Sequence, residues 1–345
     1  MKIYPLPEGY KSILSLKETE QAIKLIKDHF QQQLSYSLKL SRVTAPIFVE
    51  AGTGINDDLN GIEKPVSFNV PGIGNKKLEI VQSLAKWKRM MLASLRIDPG
   101  KGLYTDMNAI RPDETLSNIH SIYVDQWDWE KCIRKEERTI DYLKKTVRII
   151  YDSLKGLEFM VCETYNGIRE VLPEEIKFIH SEDLQKEYSG LTPPEREDAA
   201  AKKYGAIFII GIGSELKDGK SHDGRAPDYD DWSTPTMNGY RGLNGDIIFW
   251  NPVLKSAFEI SSMGIRVDNN ALLRQLIQTG TEERKNLLFH RLLLEGDLPA
   301  SIGGGIGQSR ICMFMLRKAH IGEVQASVWP EPMKNECMSK DIYLI

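Results

Sequence analysis

Residues 303–310 read Gly-Gly-Gly-Ile-Gly-Gln-Ser-Arg. Glycines let a backbone approach a ligand closely. Arg310 then adds a planar cation that stacks on a base or meets a phosphate. The apolar run Ile311 to Leu316 predicts a helix starting at or just before the arginine, so strand, glycine turn and helix are expected in that order. On its own such a run is more often an ordinary tight turn. A second segment, Arg111-Pro112-Asp113-Glu114, follows the strand-like stretch 102–110 and brings another arginine with carboxylates beside it.

Five further segments are dense in groups that could do chemistry. Residues 54–61 carry Asn56, Asp57, Asp58 and Asn60, a pattern also typical of Asx turns. Residues 83–89 place Ser83, Lys86, Lys88 and Arg89 on one helical segment, which could equally be a solvated face. In Asp125-Gln126-Trp127-Asp128-Trp129-Glu130, strand alternation puts Gln126 and Asp128 on one side and both tryptophans on the other. Asp228, Asp230 and Asp231 crowd three carboxylates into four residues, which calls for solvent, an ammonium or a metal. Asp246 and the run Glu259 to Arg266 interleave carboxylates, hydroxyls and a cation.

The elements that must hold these groups follow from periodicity. Residues 16–38 predict an amphipathic helix through Ile23, Ile26, Phe30 and Leu34. Short strands are expected at 46–49, 66–70 and 78–81, and a helix at 83–95. Strands at 104–110 and 122–127 should pair as a hairpin across the polar loop 111–120, with residues 113–118 as a candidate lid. A long helix is expected over 136–163. Residues 174–204 read as polar helix broken at Pro193-Pro194, and 270–296 as one helix. Buried strands are expected at 206–210, 247–250 and 257–260. Locally paired strands with few β-α-β alternations indicate an α+β fold with a mostly antiparallel sheet. Without a Pro/Gly/Ser linker, residues 1–345 are expected to form a single domain.

Composition narrows the classes. The chain has 345 residues, 41% of them hydrophobic, with a net charge of −3. That near-neutral balance, with no basic tail, argues against a nucleic-acid partner. No apolar run reaches the roughly 18 residues of a membrane span, and no secretory leader is evident. Four scattered cysteines fit a reducing cytoplasm, and the six histidines show no zinc spacing. Residues 213–221 imitate a P-loop but have one residue too many between the glycines, so a loop tip is expected. Gln308 likewise breaks a dinucleotide-binding fingerprint at 303–308.

Taken in order, S-L-A-K-W-K-R, Y-V-D-Q-W-D-W-E, R-A-P-D-Y-D-D-W, F-E-I-S-S-M-G-I-R and G-G-G-I-G-Q-S-R resemble the ammonia-dependent asparagine synthetases. The resemblance runs from about residue 20 to 330. Residues 1–19 look like an extension, and the tail after Trp329 departs from the pattern. It implies a class II aminoacyl-tRNA synthetase-like catalytic domain, a six- to eight-stranded, mostly antiparallel sheet flanked by helices. It further implies a homodimer built around Ala45-Pro46-Ile47. The implied reaction joins L-aspartate, ATP and ammonia, with Mg²⁺, through a β-aspartyl-adenylate.

On that resemblance Arg111 and Arg310 match the motif 2 and motif 3 arginines, and Glu114, Ser121, Glu259 and Ser262 complete the ATP site. Asp246 and Glu259 are candidate Mg²⁺ ligands, unless they serve as structural partners of Arg266. Lys88 and Arg266 would hold carboxylates. Asp128 and Asp230 would hold the ammonium, with Gln126 and Ser83 adding hydrogen bonds. Asp57 would bind ammonia and take its proton, which makes Arg111, Asp57 and Lys88 the catalytic candidates. Lys2 stands where a glutamine-using enzyme of the N-terminal-nucleophile type needs cysteine, so free ammonia is the expected nitrogen source. A tRNA synthetase relative and a catalytically dead, ligand-binding paralogue are the competing readings.

Overall fold

The computed structural model describes residues 6–57 and 63–345. The first five residues of the expected extension, and Asp58 to Gly61 of the polar turn, lie outside that range. The strands are β1 (Leu40–Arg42), β2 (Phe48–Glu50), β3 (Ser67–Val70), β4 (Lys76–Ile80), β5 (Gly102–Ile110), β6 (Tyr123–Cys132), β7 (Lys177–His180), β8 (Ala206–Ile210), β9 (Asn244–Asn251), β10 (Ser256–Ile265) and β11 (Ser301–Gly307). The helices are α1 (Leu16–Leu38), α2 (Ala85–Ser94), α3 (Ile140–Thr164), α4 (Ser181–Glu187), α5 (Pro193–Tyr204), α6 (Asn269–Thr279), α7 (Leu288–Glu295), α8 (Gln308–Met315) and α9 (Glu331–Ser339).

Eight strands form one sheet in the order β1-β5-β6-β11-β10-β9-β8-β7, and β2-β4-β3 form a smaller one. The edge pairs β1–β5 and β7–β8 run parallel, and every other neighbour in the large sheet is antiparallel. The α+β, mostly antiparallel expectation therefore holds. One face of the large sheet is apolar. Trp127 and Trp129 of β6, Phe258 and Ile260 of β10 and Ile306 of β11 pack there with Phe30 of α1, Leu154 of α3 and Phe314 of α8. Burying each such side chain contributes roughly 1.5–3 kcal/mol. The other face carries the polar groups.

Helix α1 starts where its sequence dictates. Ser15 accepts from the Glu18 amide while Glu18 reaches back to the Ser15 amide, a reciprocal cap. Residues before it are tied to the far end of the chain: Tyr10 donates to Glu323 at 3.0 Å and Lys318 to Ser12 at 2.6 Å. No helix of the described residues is long and apolar enough to cross a membrane.

Four expectations need correction. The glycine run is a strand, not a turn: Ser301–Gly307 is β11, and α8 begins at Gln308. Glycine's poor strand propensity yields here to pairing on both sides. The strand expected to stop at Trp127 continues to Cys132 because Glu130, charged and fully buried, finds a cationic partner. The stretch 174–204 is not all helical: Lys177–His180 is strand β7, too short to show a period, and Pro193-Pro194 begin α5 rather than break a helix. Residues 270–296 are two helices, because Gly280 adopts φ +65° and ends α6. The tip at 213–221 is a loop closed by a Glu215–Ser221 bridge, as expected.

Candidate active site

The polar face of the large sheet is the floor of a cavity with two connected basins. Three strands supply it by alternation. β6 turns Gln126, Asp128 and Glu130 upward as it turns its tryptophans down. Gly303 and Gly305 of β11 lie directly beside Glu130 and Asp128. A Cβ at Gly303 would overlap the Glu130 carboxylate and stand 2.6 Å from Arg266 Nη2; one at Gly305 would overlap Gln126 and stand 2.7 Å from Asp128 Oδ1. Glycine is there to leave room for side chains leaning in from both neighbouring strands.

β10 contributes through a bulge between Glu259 and Ser261. The bulge adds one residue to the alternation, so Glu259 and Ser262, three apart, both line the cavity. Phe258, Ile260, Met263 and Ile265 still face the core.

The first basin is lined by Arg111, Glu114, His120, Ser121, Glu259 and Arg310, among others. Arg310, on the first turn of α8, donates to the Glu259 carbonyl at 3.1 Å and its carboxylate at 3.2 Å. Arg111 donates Nη2 to the Gln82 carbonyl at 3.2 Å, while its Nε has no hydrogen-bond partner among the described residues. Such a donor suits an incoming anion. Burial, with Arg310 and Arg111 nearby, lowers the His120 imidazole to about 4, so a neutral ring faces this basin.

The second basin shares Arg111, Glu114, Gln126, Glu259 and Gly305 with the first. It adds Asp57, Ser83, Lys88, Asp128, Asp230, Ser262 and Arg266. Its charges are paired in advance. Lys88, fully buried on α2, meets Asp128 at 3.1 Å and the Gly304 carbonyl at 3.0 Å. Burial pulls its ammonium below the ordinary lysine range, an effect Asp128 opposes. Arg266 grips Glu130 through Nε at 3.0 Å and Nη2 at 2.8 Å, and Asp230 through Nη1. Burial alone would raise the Glu130 carboxyl, but Arg266 outweighs it and holds it below the usual range. The α2 cations are therefore not a solvated face.

Asp57 closes this basin at 2% exposure. Asn56 fixes the backbone there: its Oδ1 accepts from the Asp57 and Gln82 amides, and its Nδ2 donates to the Ile80 carbonyl. Asp246 is the one expected site residue that lines neither basin directly. It sits behind Ser262, its register partner on β10, and pairs with Arg225 at 2.6 Å. Burial pushes its carboxyl up to about 7, with the Glu259 charge adding and Arg225 opposing. Neither Asp246 nor Glu259 pairs with Arg266. Their partners are Arg225 and Arg310.

Three groups in the site carried no sequence signal strong enough to single out. Glu130 was within a recognised motif but its hold on Arg266 was not expected. Arg225 links Asp246 to Asp230, at 2.6 and 3.8 Å. Tyr229 lies 5.8 Å from the Arg266 guanidinium. The side-chain direction of β6 could have pointed to Glu130, and Arg225 and Tyr229 stand within the R-A-P-D-Y-D-D-W motif, which assigns them no role by itself.

The family model described as aspartate-ammonia ligase matches residues 17–341. The chain belongs to the aspartate–ammonia ligase family. It is 59% identical to the aspartate–ammonia ligase of Parabacteroides distasonis over 339 residues, 98% of each chain. Against that of Clostridium perfringens it is 56% identical over 340 residues, 99% of this chain and 98% of the other. Among solved structures, the asparaginyl-tRNA synthetase of Pyrococcus horikoshii complexed with asparaginyl-adenylate superposes with a TM-score of 0.64. That match has 16% identity and covers 95% of this chain and 76% of the other, which establishes the class II synthetase fold of the ligase.

Proposed function

We propose that this ligase adenylates the side-chain carboxylate of L-aspartate with ATP and passes the acyl group to ammonia, giving asparagine, AMP and pyrophosphate. One observation carries the reading. A basin edged by Arg111 and Arg310 runs, through Arg111, Gln126 and Glu259, into a basin of pre-paired charges sized for a small zwitterion.

The purine lies against Arg310 and the neutral His120, with Ser121 and Glu114 at the edge. Arg111 meets the α-phosphate. A carboxylate oxygen of aspartate attacks phosphorus and pyrophosphate leaves, and the fixed guanidinium stabilises the charge that builds there. The substrate's own charges replace existing pairs: its carboxylates take up Lys88 and Arg266, and its ammonium enters between Asp128 and Asp230. Gln126 and Ser83 add hydrogen bonds. Because each charge it meets is already ordered, little reorganisation is needed. Ammonia then attacks the acyl carbon, AMP departs, and Asp57 accepts a proton from the nitrogen.

Mg²⁺ fits the site. Burial, with the Glu259 charge adding, pushes Asp246 up to about 7; a divalent cation would relieve this pair of carboxylates, and Glu259, Asp246 and Ser262 would hold it. Bound there, it would neutralise phosphate charge. We further propose a homodimer. Ile47, Phe48, Phe68 and Ile73 expose apolar surface around the smaller sheet, beside the segment expected to dimerise. Light scattering on the eluting protein checks this.

The decisive experiment incubates purified protein with L-aspartate, Mg-ATP and ammonium chloride, with glutamine as a parallel donor. Asparagine and AMP are expected in equal amounts, dependent on ammonium and indifferent to glutamine. AMP without asparagine would replace the reading with adenylation for another acceptor. No turnover would favour a ligand-binding paralogue.

A further inference from the structure

A separate cavity lies behind Asp57. Its wall includes Glu50, Asn56, Glu79, Lys86, Asp228 and Arg284, and Asp57 is the one described residue it shares with the substrate basin. Glu50 and Gly52 at its rim are exposed, whereas Asp57 and Asp228 are buried. It thus runs inward from solvent to the residue that faces the substrate.

Two independent features mark it as a cation site. The first is charge. Among the described residues of its wall, Glu50, Asp57, Glu79 and Asp228 stand against Lys86 and Arg284, with Lys76 pairing Glu50 from outside at 2.9 Å. Both cations are directed at one oxygen, Asp228 Oδ2, at 3.0 and 3.4 Å, where His290 Nε2 also lies at 3.0 Å. The second is Asp228 Oδ1, fully buried and without a hydrogen-bond partner among the described residues. A buried carboxylate oxygen in that position calls for a donor.

We propose that this cavity is an ammonium antechamber: it draws NH₄⁺ from solvent and delivers it to Asp57 from the side opposite the nucleotide. The assignment rests on the ligase reading and extends it. Near neutral pH almost all ammonia is cationic. Once aspartate and Mg-ATP fill the substrate basin that approach is occupied, whereas the rear cavity, with its excess of carboxylates, stays open to a cation. The route also lets the basin stay filled by the acyl-adenylate, excluding water that would hydrolyse it.

The test measures asparagine formation at saturating aspartate and Mg-ATP with ammonium varied, in wild type, E79Q, E50Q and the double variant. E174Q, an exposed glutamate outside the cavity, controls for net charge. The amide oxygen of the E79Q side chain still accepts from Asn56, so Asp57 keeps its support. Each removed charge is expected to raise KM for ammonium about two- to fivefold, with kcat and the KM values for aspartate and ATP changing less than twofold. Hydroxylamine, a nucleophile neutral at this pH, should show no such rise. An unchanged ammonium KM, an equal rise with hydroxylamine, or an equal rise in E174Q overturns the antechamber. E50Q lies at the exposed rim and keeps the test open should E79Q fold poorly. Wild type that forms no ammonium-dependent asparagine would instead sink the ligase reading itself.

Discussion

Asp57 and Glu130 are both buried carboxylates, yet they have different tasks. Asp57 sits on the wall between two cavities, held by the Asn56 clamp, and its role is to take a proton from nitrogen. The D57N variant keeps the shape and loses the basicity. Asparagine formation is therefore expected to fall about 10²- to 10⁴-fold, while aspartate-dependent exchange of pyrophosphate into ATP changes little. Equal loss in both half-reactions would remove Asp57 from the second step. Glu130 touches no substrate in the proposed arrangement. It holds Arg266 through three hydrogen bonds and is itself held by Ser301 at 2.7 Å. Truncating one partner of a buried pair strands the other, so E130A should lose about 3–5 kcal/mol of stability. E130Q should fold better but let Arg266 swing, raising KM for aspartate more than it lowers kcat. Urea titration and initial rates separate the two effects, and an unchanged aspartate KM in E130Q would make Glu130 purely structural.

At the scale of elements, the floor strand β11 makes the sharpest demand. G305A places a methyl against Gln126 and Asp128, which cannot retreat without leaving the aspartate basin. A protein with near-native melting but at least about 10²-fold lower adenylation is expected, because the methyl takes the place of substrate. Retained pyrophosphate exchange in G305A would mean that β6 shifts to accommodate it. G303A strikes the buried Glu130–Arg266 pair and should instead melt earlier. The glycines were readable from the sequence as close-approach positions, but as a turn. Their status as strand depends on β6 and β10, which no local signal supplies. β6 was legible because alternation over Gln126 to Trp129 is strict. β10 was legible only over 257–260, since its bulge puts Glu259 and Ser262 on one face where a regular strand would oppose them. Arg225 was missed for a related reason. It sits in an irregular loop, and its significance lies in bridging Asp246 and Asp230, a relation made only in three dimensions.

Across the whole molecule, the chain ends meet beside the core and bring a pH-sensitive group with them. His320 is buried between Trp329, edge-on at 4.7 Å, and Met333, with Nδ1 accepting from the Gly322 amide. Burial lowers its imidazole from 6.5 to about 4, as it does for His120. The folded protein therefore keeps both rings neutral, while the unfolded chain protonates them as pH drops below about 6.5. At these two rings the unfolded state binds more protons between pH 6.5 and 4, so the stability they contribute at pH 7 is lost through that window, while Asp246, raised to about 7 in the fold, acts in the opposite direction. Each histidine contributes on the order of 3 kcal/mol to the loss. A second stage follows below about 4.5. Glu130, held down by Arg266, must protonate there, and the stability it contributes above its ordinary value disappears as pH falls through its lowered one. Urea midpoints of wild type and H320N from pH 7.5 to 4.5 should therefore diverge below pH 6.5, well before ordinary carboxylates titrate. In H320N the asparagine oxygen can still accept from Gly322, and the slope between pH 6 and 5 should flatten by about one proton. An H320N slope equal to that of wild type would show that the folded state admits the charged imidazole of His320, and that the contact between the chain ends opens before the core does.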